Sequence, residues 1–295
     1  MLGSAAVATP ALGWADAPPG RIETLPRIGA SRHGDPRVRI WLPPGYENSA
    51  LSYCTLYMLD GQFVFETDSD GENFATDCRV ARLTNAGRIQ PTLIVAIDNL
   101  EEDRFLQYMP ETIYERAKGD LRKTIDLELA RTKGRPLVSR QFIQYLTQRL
   151  KPFVDAHYRT RPGRLNTAIF GASMAGVMAG AIFVEAQQAF GRGACMSPNW
   201  PIYNMRMIDH PQLLSIWPDY FSRLGAPAGR RLWLDHGTQM MDAGMAPHQV
   251  KIARRLTELG WRRGRNLETR VYQGAGHAFA KTAAQMDELL AWLLA

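Results

Sequence analysis

Ser173 stands at the tip of Thr167-Ala168-Ile169-Phe170-Gly171-Ala172-Ser173-Met174-Ala175-Gly176, a short apolar run that turns through small residues into a second apolar stretch. A serine held at a sharp strand-to-helix turn has its hydroxyl pushed out of the sheet, and the next backbone N–H points at a developing oxyanion. Gly171 lies two before the serine and Ala175 two after, giving G-x-S-x-A followed by Gly176 rather than G-x-S-x-G. The extra methyl of Ala175 is a departure, because it falls where the turn packs strand against helix. A serine hydroxyl is a poor nucleophile at neutral pH, so this chemistry needs a base within hydrogen-bond reach and an acid to orient that base.

The candidates for the base are His33, His157, His210, His236, His248 and His277. His277 follows Val271-Tyr272-Gln273-Gly274-Ala275-Gly276, a strand-like run and then a small-residue loop, which could lean an imidazole over Ser173. His157 ends a helical stripe, where a cation suits the helix dipole. His236 is a rival base, but it precedes the elements that should place the acid. For that acid, the strand-like Leu232-Trp233-Leu234 leads into Asp235-His236-Gly237-Thr238-Gln239-Met240-Met241-Asp242. Asp242, in the loop beyond, can reach back to a histidine and is the expected acid. Asp235 is its competitor, although its place before Gly-Thr suits bracing the turn by accepting backbone N–H bonds. The order Ser173, Asp242, His277 is that of the α/β-hydrolases rather than of the two protease folds. Met174 supplies one oxyanion N–H. Leu56-Tyr57-Met58-Leu59-Asp60-Gly61-Gln62 supplies the other, with Gly61 allowing a sharp turn and the Gln62 N–H facing the pocket.

Other motifs are thin. Asp68-Ser69-Asp70-Gly71-Glu72 echoes a calcium loop but lacks the rest of the twelve-residue pattern and reads as a turn. The chain has no H-E-x-x-H, phosphate-cradling loop or dinucleotide fingerprint, so a reaction without cofactor or metal is expected.

The elements that must position these residues alternate between strand-like and helix-like. Val38 to Leu42 shows period-two alternation and stops at Pro43-Pro44-Gly45. Leu51 to Leu59 is a second strand, and Leu93 to Ile97 is a continuous apolar run suited to a strand covered on both faces. Gln141 to His157 carries Phe142, Tyr145, Leu146 and Leu150 along one helical stripe. After the serine turn come a strand at Ala194-Cys195-Met196, the strand at 232–234, a helix from Pro247 to Leu259 stopped by Gly260, a strand at Thr269 to Tyr272, and a last helix from Ala283 to Leu294. This alternation predicts an α/β fold with a mostly parallel central sheet, helices on both faces, and ligands at the carboxyl ends of the strands. Residues 21–295 are expected to form one domain, with the charged, weakly periodic stretch Glu101 to Ser139 an insertion of loops and short helices that shapes the pocket.

Composition is that of an ordinary globular chain: 295 residues, 45% hydrophobic, 22% charged, with 35 Lys and Arg against 29 Asp and Glu. The net charge of +6 is spread as short pairs such as Arg254-Arg255, which read as solvated faces rather than a nucleic-acid surface. The three cysteines, Cys54, Cys78 and Cys195, form no C-x-x-C and read as core residues. No stretch is long and apolar enough to span a bilayer. Met1 to Gly20 contains no Lys or Arg, and runs from apolar residues into Trp14-Ala15-Asp16-Ala17. It reads as the later half of an export signal, of the twin-arginine kind, or as an Ala-rich disordered terminus. The first reading places the protein in the periplasm or outside the cell, the second leaves it in the cytoplasm.

These motifs, with Ala96-Ile97-Asp98-Asn99, Arg104, Tyr108-Met109-Pro110, Leu150-Lys151-Pro152-Phe153-Val154-Asp155 and Met196-Ser197-Pro198-Asn199-Trp200-Pro201, resemble one branch of the α/β-hydrolases. That branch holds feruloyl and acetylxylan esterases, S-formylglutathione hydrolases and enterochelin-type trilactone esterases. The resemblance covers most of Val38 to Leu294 and implies a serine esterase acting on small ester substrates, of siderophore or phenolic type. It departs at Ala175, at Met240, where many members have an acidic residue, and at Ala278-Phe279-Ala280-Lys281, which lacks a Trp common after the histidine. Two alternatives share the scaffold: an acyltransferase with the same triad, and a non-catalytic binding protein.

Overall fold

The structure is a computed structural model that describes residues 20–29, 36–65, 72–202, 207–278 and 284–295. The segment Met1 to Pro19, most of the calcium-loop echo and His33 lie outside the described residues.

Among the described residues eight strands form one sheet: β1 (Arg21–Thr24), β2 (Val38–Leu42), β3 (Cys54–Leu59), β4 (Thr92–Ile97), β5 (Thr167–Ala172), β6 (Arg192–Met196), β7 (Arg231–Gly237) and β8 (Leu267–Tyr272), in the order β1-β2-β4-β3-β5-β6-β7-β8. The β1–β2 and β2–β4 pairs are antiparallel, and every later pair is parallel. The fold is therefore α/β with a mostly parallel sheet, of the α/β-hydrolase type. The helices are α1 (Thr76–Asn85), α2 (Arg104–Tyr108), α3 (Glu111–Arg116), α4 (Gly119–Arg131), α5 (Ser139–Tyr145), α6 (Lys151–His157), α7 (Met174–Glu185), α8 (Pro211–Ser222), α9 (Ala246–Glu258) and α10 (Met286–Leu294). Among the described residues no helix is long and apolar enough to cross a membrane.

Both faces of the sheet are covered, which explains why its strands read as unbroken apolar runs. Tyr57, Leu59, Val95 and Ile169 face the core under α2 to α9, while Leu56, Met58, Ile94 and Phe170 face a second core closed by α1 and α10. Helix α7 is buried from Met174 to Val184, as a helix apolar all round must be.

Four expectations are corrected. Strand β2 is buried at all five positions instead of alternating in and out, because Arg39 lies over the Phe65 ring and donates to the Gly61 carbonyl and the Asp98 carboxylate. The second strand begins at Cys54, not Leu51. The stripe from Gln141 to His157 is α5 and α6 joined by one π-helical stretch, Leu146–Leu150. Strand β7 extends to Gly237, so Asp235 and His236 lie within it, not beyond it. Cys54 and Cys195 are buried as expected, whereas Cys78 is only half-buried in α1.

Candidate active site

The elbow is where the sequence placed it. Ser173 joins β5 to α7 with φ 58° and ψ −125°, a conformation that L-residues adopt only under constraint. Three backbone bonds impose it: the Ser173 N–H donates to the Met196 carbonyl (3.0 Å), and the Ser173 carbonyl accepts from Val177 (3.2 Å) and Asn199 (3.1 Å). The turn is tight enough to dictate its small residues. A Cβ on Gly171 would lie 2.0 Å from the Ala175 carbonyl oxygen, and one on Gly176 would lie 3.1 Å from the carbonyls of Gly171 and Met196. The side chain at 175 meets no such barrier and is buried in α7, so the methyl that sets this elbow apart is accommodated.

Across the sheet, β7 and β8 run in register, Gly237 beside Tyr272. Asp242 and His277 each lie five residues beyond this pair, so the register alone brings their loops together. The loops are then stitched: the Thr238 and Gln239 N–H groups both donate to the Ala275 carbonyl (2.9 Å each), and Gly274 N–H donates to the Thr238 hydroxyl (3.0 Å). His277 Nδ1 lies 2.6 Å from Asp242 Oδ1, and its Nε2 lies 2.8 Å from Ser173 Oγ. With Asp242 ionised, Nδ1 carries the proton and donates to it, which leaves Nε2 free to accept the serine proton.

The other oxygen of Asp242, Oδ2, accepts the Gly237 N–H (2.9 Å) and the Ser197 hydroxyl (2.8 Å). Burial alone would raise this carboxyl, but donation from His277, Gly237 and Ser197 outweighs it and holds the group below the ordinary carboxylate value. Asp235 lies elsewhere. Its carboxylate accepts Ser197 N–H (2.8 Å) and Trp233 Nε1–H (2.6 Å) and makes no bond to His277. Burial pushes it up to about 7 against those two donors, and the charge of Asp242 adds to the rise. Asp235 therefore braces the loop after β6 rather than the turn that follows it in sequence. His236, the rival base, is buried and donates from Nδ1 to the Gly237 carbonyl (2.6 Å).

Strands β3 and β5 are neighbours, Met58 beside Phe170, and the Gln62 and Met174 N–H groups each lie four residues beyond that pair. Met174 opens α7, and Gln62 lies in the first turn of a 3₁₀ helix, Gly61–Phe63, so neither N–H has an acceptor within its own helix. The sharp turn belongs to Asp60 (φ 54°), not to Gly61. Gly61 is small for another reason: a Cβ there would lie 2.6 Å from the backbone of Ile97. Asp60 is pinned by Arg104 from α2 (2.9 and 2.6 Å) and by Asn99 Nδ2–H (2.7 Å).

Sequence reasoning quoted Ser197 and Gly237 only as parts of longer motifs, yet both donate to the Asp242 carboxylate. Ser197 is the first residue after the apolar β6, and position after an apolar run was the signal that could have found it. A cavity of about 550 Å³ opens among α3, α4 and the segment 134–137, lined by Glu111, Tyr114, Asp126 and Leu137. It contains none of Ser173, Asp242 or His277, and its carboxylates are bonded to Ser139, Tyr114 and Arg122. Among the described residues no group of three or more His, Cys, Asp or Glu could hold a metal ion.

Comparison with known proteins places the chain. Residues 29–293 match the family described as "Putative esterase". No curated protein sequence matches. Among solved structures, a ferulic acid esterase from the anaerobic fungus Anaeromyces mucronatus is 18% identical, with 95% of this chain and 91% of that chain covered and a TM-score of 0.59. An IroE-like serine hydrolase from Shewanella oneidensis is 16% identical over 92% and 79% of the two chains, with a TM-score of 0.60. The enterobactin esterase of Shigella flexneri is 17% identical, with 94% of this chain but only 60% of that one covered and a TM-score of 0.63. At these identities the likeness to the solved structures is one of fold. The match along nearly all of the sequence settles the family: this chain belongs to the esterases and is a carboxylic ester hydrolase.

Proposed function

We propose that the protein is a serine esterase in which Ser173 is the nucleophile, His277 the general base and acid, and Asp242 the residue that orients the imidazole. The observation that supports this reading is the unbroken chain from Asp242 Oδ1 through His277 to Ser173 Oγ, with spacings of 2.6 and 2.8 Å. In the first half-reaction the Ser173 oxygen bonds to the acyl carbon while its proton passes to His277 Nε2. The N–H groups of Gln62 and Met174 take the charge that develops on the carbonyl oxygen. Collapse of the tetrahedral intermediate breaks the ester C–O bond, and His277 returns the proton to the leaving alcohol. In the second half, water attacks the acyl-enzyme, His277 takes its proton and passes it back to Ser173, and the carboxylic acid leaves. No further group is needed for either half.

The substrates in this reading are phenolic or siderophore-type esters. The sequence resemblance supports this, as do the fold neighbours named for ferulic acid and enterobactin. In this reading residues 101–139 help to shape the substrate side of the site, which is supported by the Arg104 of α2 that pins Asp60 two residues before Gln62. The export-signal reading of the first twenty residues puts the enzyme in the periplasm or outside the cell.

The test compares p-nitrophenyl esters of short and long acids with methyl ferulate and a catecholate trilactone, by kcat/KM. Phenolic or lactone esters are expected to exceed p-nitrophenyl acetate, with product independent of any added alcohol. Product formation that depends on an added alcohol or sugar contradicts hydrolysis in favour of acyl transfer.

A further inference from the structure

The loop after β6 grips the nucleophile and the acid together. The residues on either side of Ser197-Pro198 hold the backbone of Ser173: Met196 C=O, at the end of β6, accepts the Ser173 N–H (3.0 Å), and Asn199 N–H donates to the Ser173 C=O (3.1 Å). Between them Ser197 reaches the other way. Its hydroxyl donates to Asp242 Oδ2 (2.8 Å) and its N–H to Asp235 Oδ1 (2.8 Å), both bonds fully buried. To make them Ser197 adopts φ 39°, in the left-handed region that a non-glycine residue enters only when its surroundings over-determine it. Gly237 shows that the Asp242 pocket has no slack, since a Cβ there would lie 2.9 Å from Asp242 Oδ2 and 2.3 Å from the Ala275 carbonyl oxygen.

We infer that Ser197 is a positioning residue for the esterase reaction: a strained serine that fixes the Asp242 carboxylate in register with the Ser173 elbow, with Asp235 as the buried anchor of its backbone. The inference rests on the triad reading above. It assigns the strain at 197 a purpose, because any of several residues could complete a turn, while only a short hydroxyl reaches Oδ2 from this backbone. The titratable groups around Asp242 are His277 from the loop after β8 and Asp235 from β7. Around Asp235 stand Cys195 of β6, Tyr272 of β8 and Glu288 of α10. Loss of the hydroxyl takes one of three donors from the Asp242 carboxylate, so the group must rise toward its ordinary value.

Ser197→Gly separates this role from a structural one, since glycine accepts φ 39° without strain and lacks only the hydroxyl. Its Tm is expected to lie above that of Ser197→Ala, while kcat falls about tenfold, the scale of one hydrogen bond to a charged group. KM should change less than twofold, and the acid limb of the kcat profile should move to higher pH. Ser197→Ala should show the same kcat loss with a lower Tm. Native kcat and an unmoved acid limb in Ser197→Gly overturn the inference, as does a kcat loss that merely tracks a lower Tm. Asp242→Asn is measured beside them. If it keeps native kcat, the triad reading itself fails; if it is inactive while Ser197→Gly is fully active, only the role of Ser197 fails.

Discussion

Two buried carboxylates share the donor Ser197, and their surroundings drive them in opposite directions. Asp242 collects three donors and is held low, so it is ionised across the pH range in which an esterase works. Asp235 has two donors, complete burial and a charged neighbour, and is pushed up to about 7. The folded-state value of Asp235 lies above its unfolded one. The folded protein therefore keeps a proton that the unfolded chain has already released, and stability falls as pH rises from about 4 to about 7. Asp235→Asn removes that dependence. Whatever constant cost the amide brings, the stability of the variant relative to the native protein should improve by about 3 kcal/mol between pH 5 and pH 8. Urea denaturation at the two pH values measures it, and an unchanged difference means that Asp235 is ionised throughout. The sequence separated the two aspartates in role, but it assigned Asp235 to its own turn. The donors it meets come from Ser197, in the loop after the neighbouring strand β6, and from Trp233, and no local pattern announces the first of these.

At the scale of elements, the elbow and the strands that carry it were the most legible part of the chain. Strands β4 and β5 are continuous apolar runs because both faces are covered, and the small residues around Ser173 follow from a backbone approach that admits no side chain at 171. The edge was less legible. Strand β1, Arg21–Thr24, has no apolar run to betray it and exists through its ladder with β2. Strand β7 runs three residues past its apolar stretch because Asp235 and His236 find partners inside the protein. The elbow yields a paired prediction. Gly171→Ala puts a methyl 2.0 Å from a carbonyl oxygen and should destabilise by several kcal/mol, on the order of 3 or more. Ala175→Gly should cost about 1 kcal/mol, the usual penalty for glycine inside a helix, and keep its activity. Thermal denaturation with parallel ester assays checks both. An active, native-like Gly171→Ala would mean that the turn is looser than its contacts require.

For the molecule as a whole, topology converts sequence distance into proximity. Ser173, Asp242 and His277 lie on three separate loops at the carboxyl ends of parallel strands, where ligands of such sheets bind. The order Ser, Asp, His was readable because strand and helix alternate so regularly that the last loops can only fall at one edge. What could not be read was the packing between loops: the stitches from Thr238 and Gln239 to Ala275, the clamp of Arg104 on Asp60, and the reach of Ser197. Each joins residues far apart in sequence, with no period to reveal them. In the proposed mechanism all of this scaffolding serves one chemical event, acylation of Ser173. It is tested most directly by treating the folded protein with a fluorophosphonate and locating the adduct by mass spectrometry. A single adduct on Ser173 is expected, absent in Ser173→Ala and formed far more slowly in His277→Ala. An unlabelled native protein, or a label that persists at another residue in Ser173→Ala, contradicts the account.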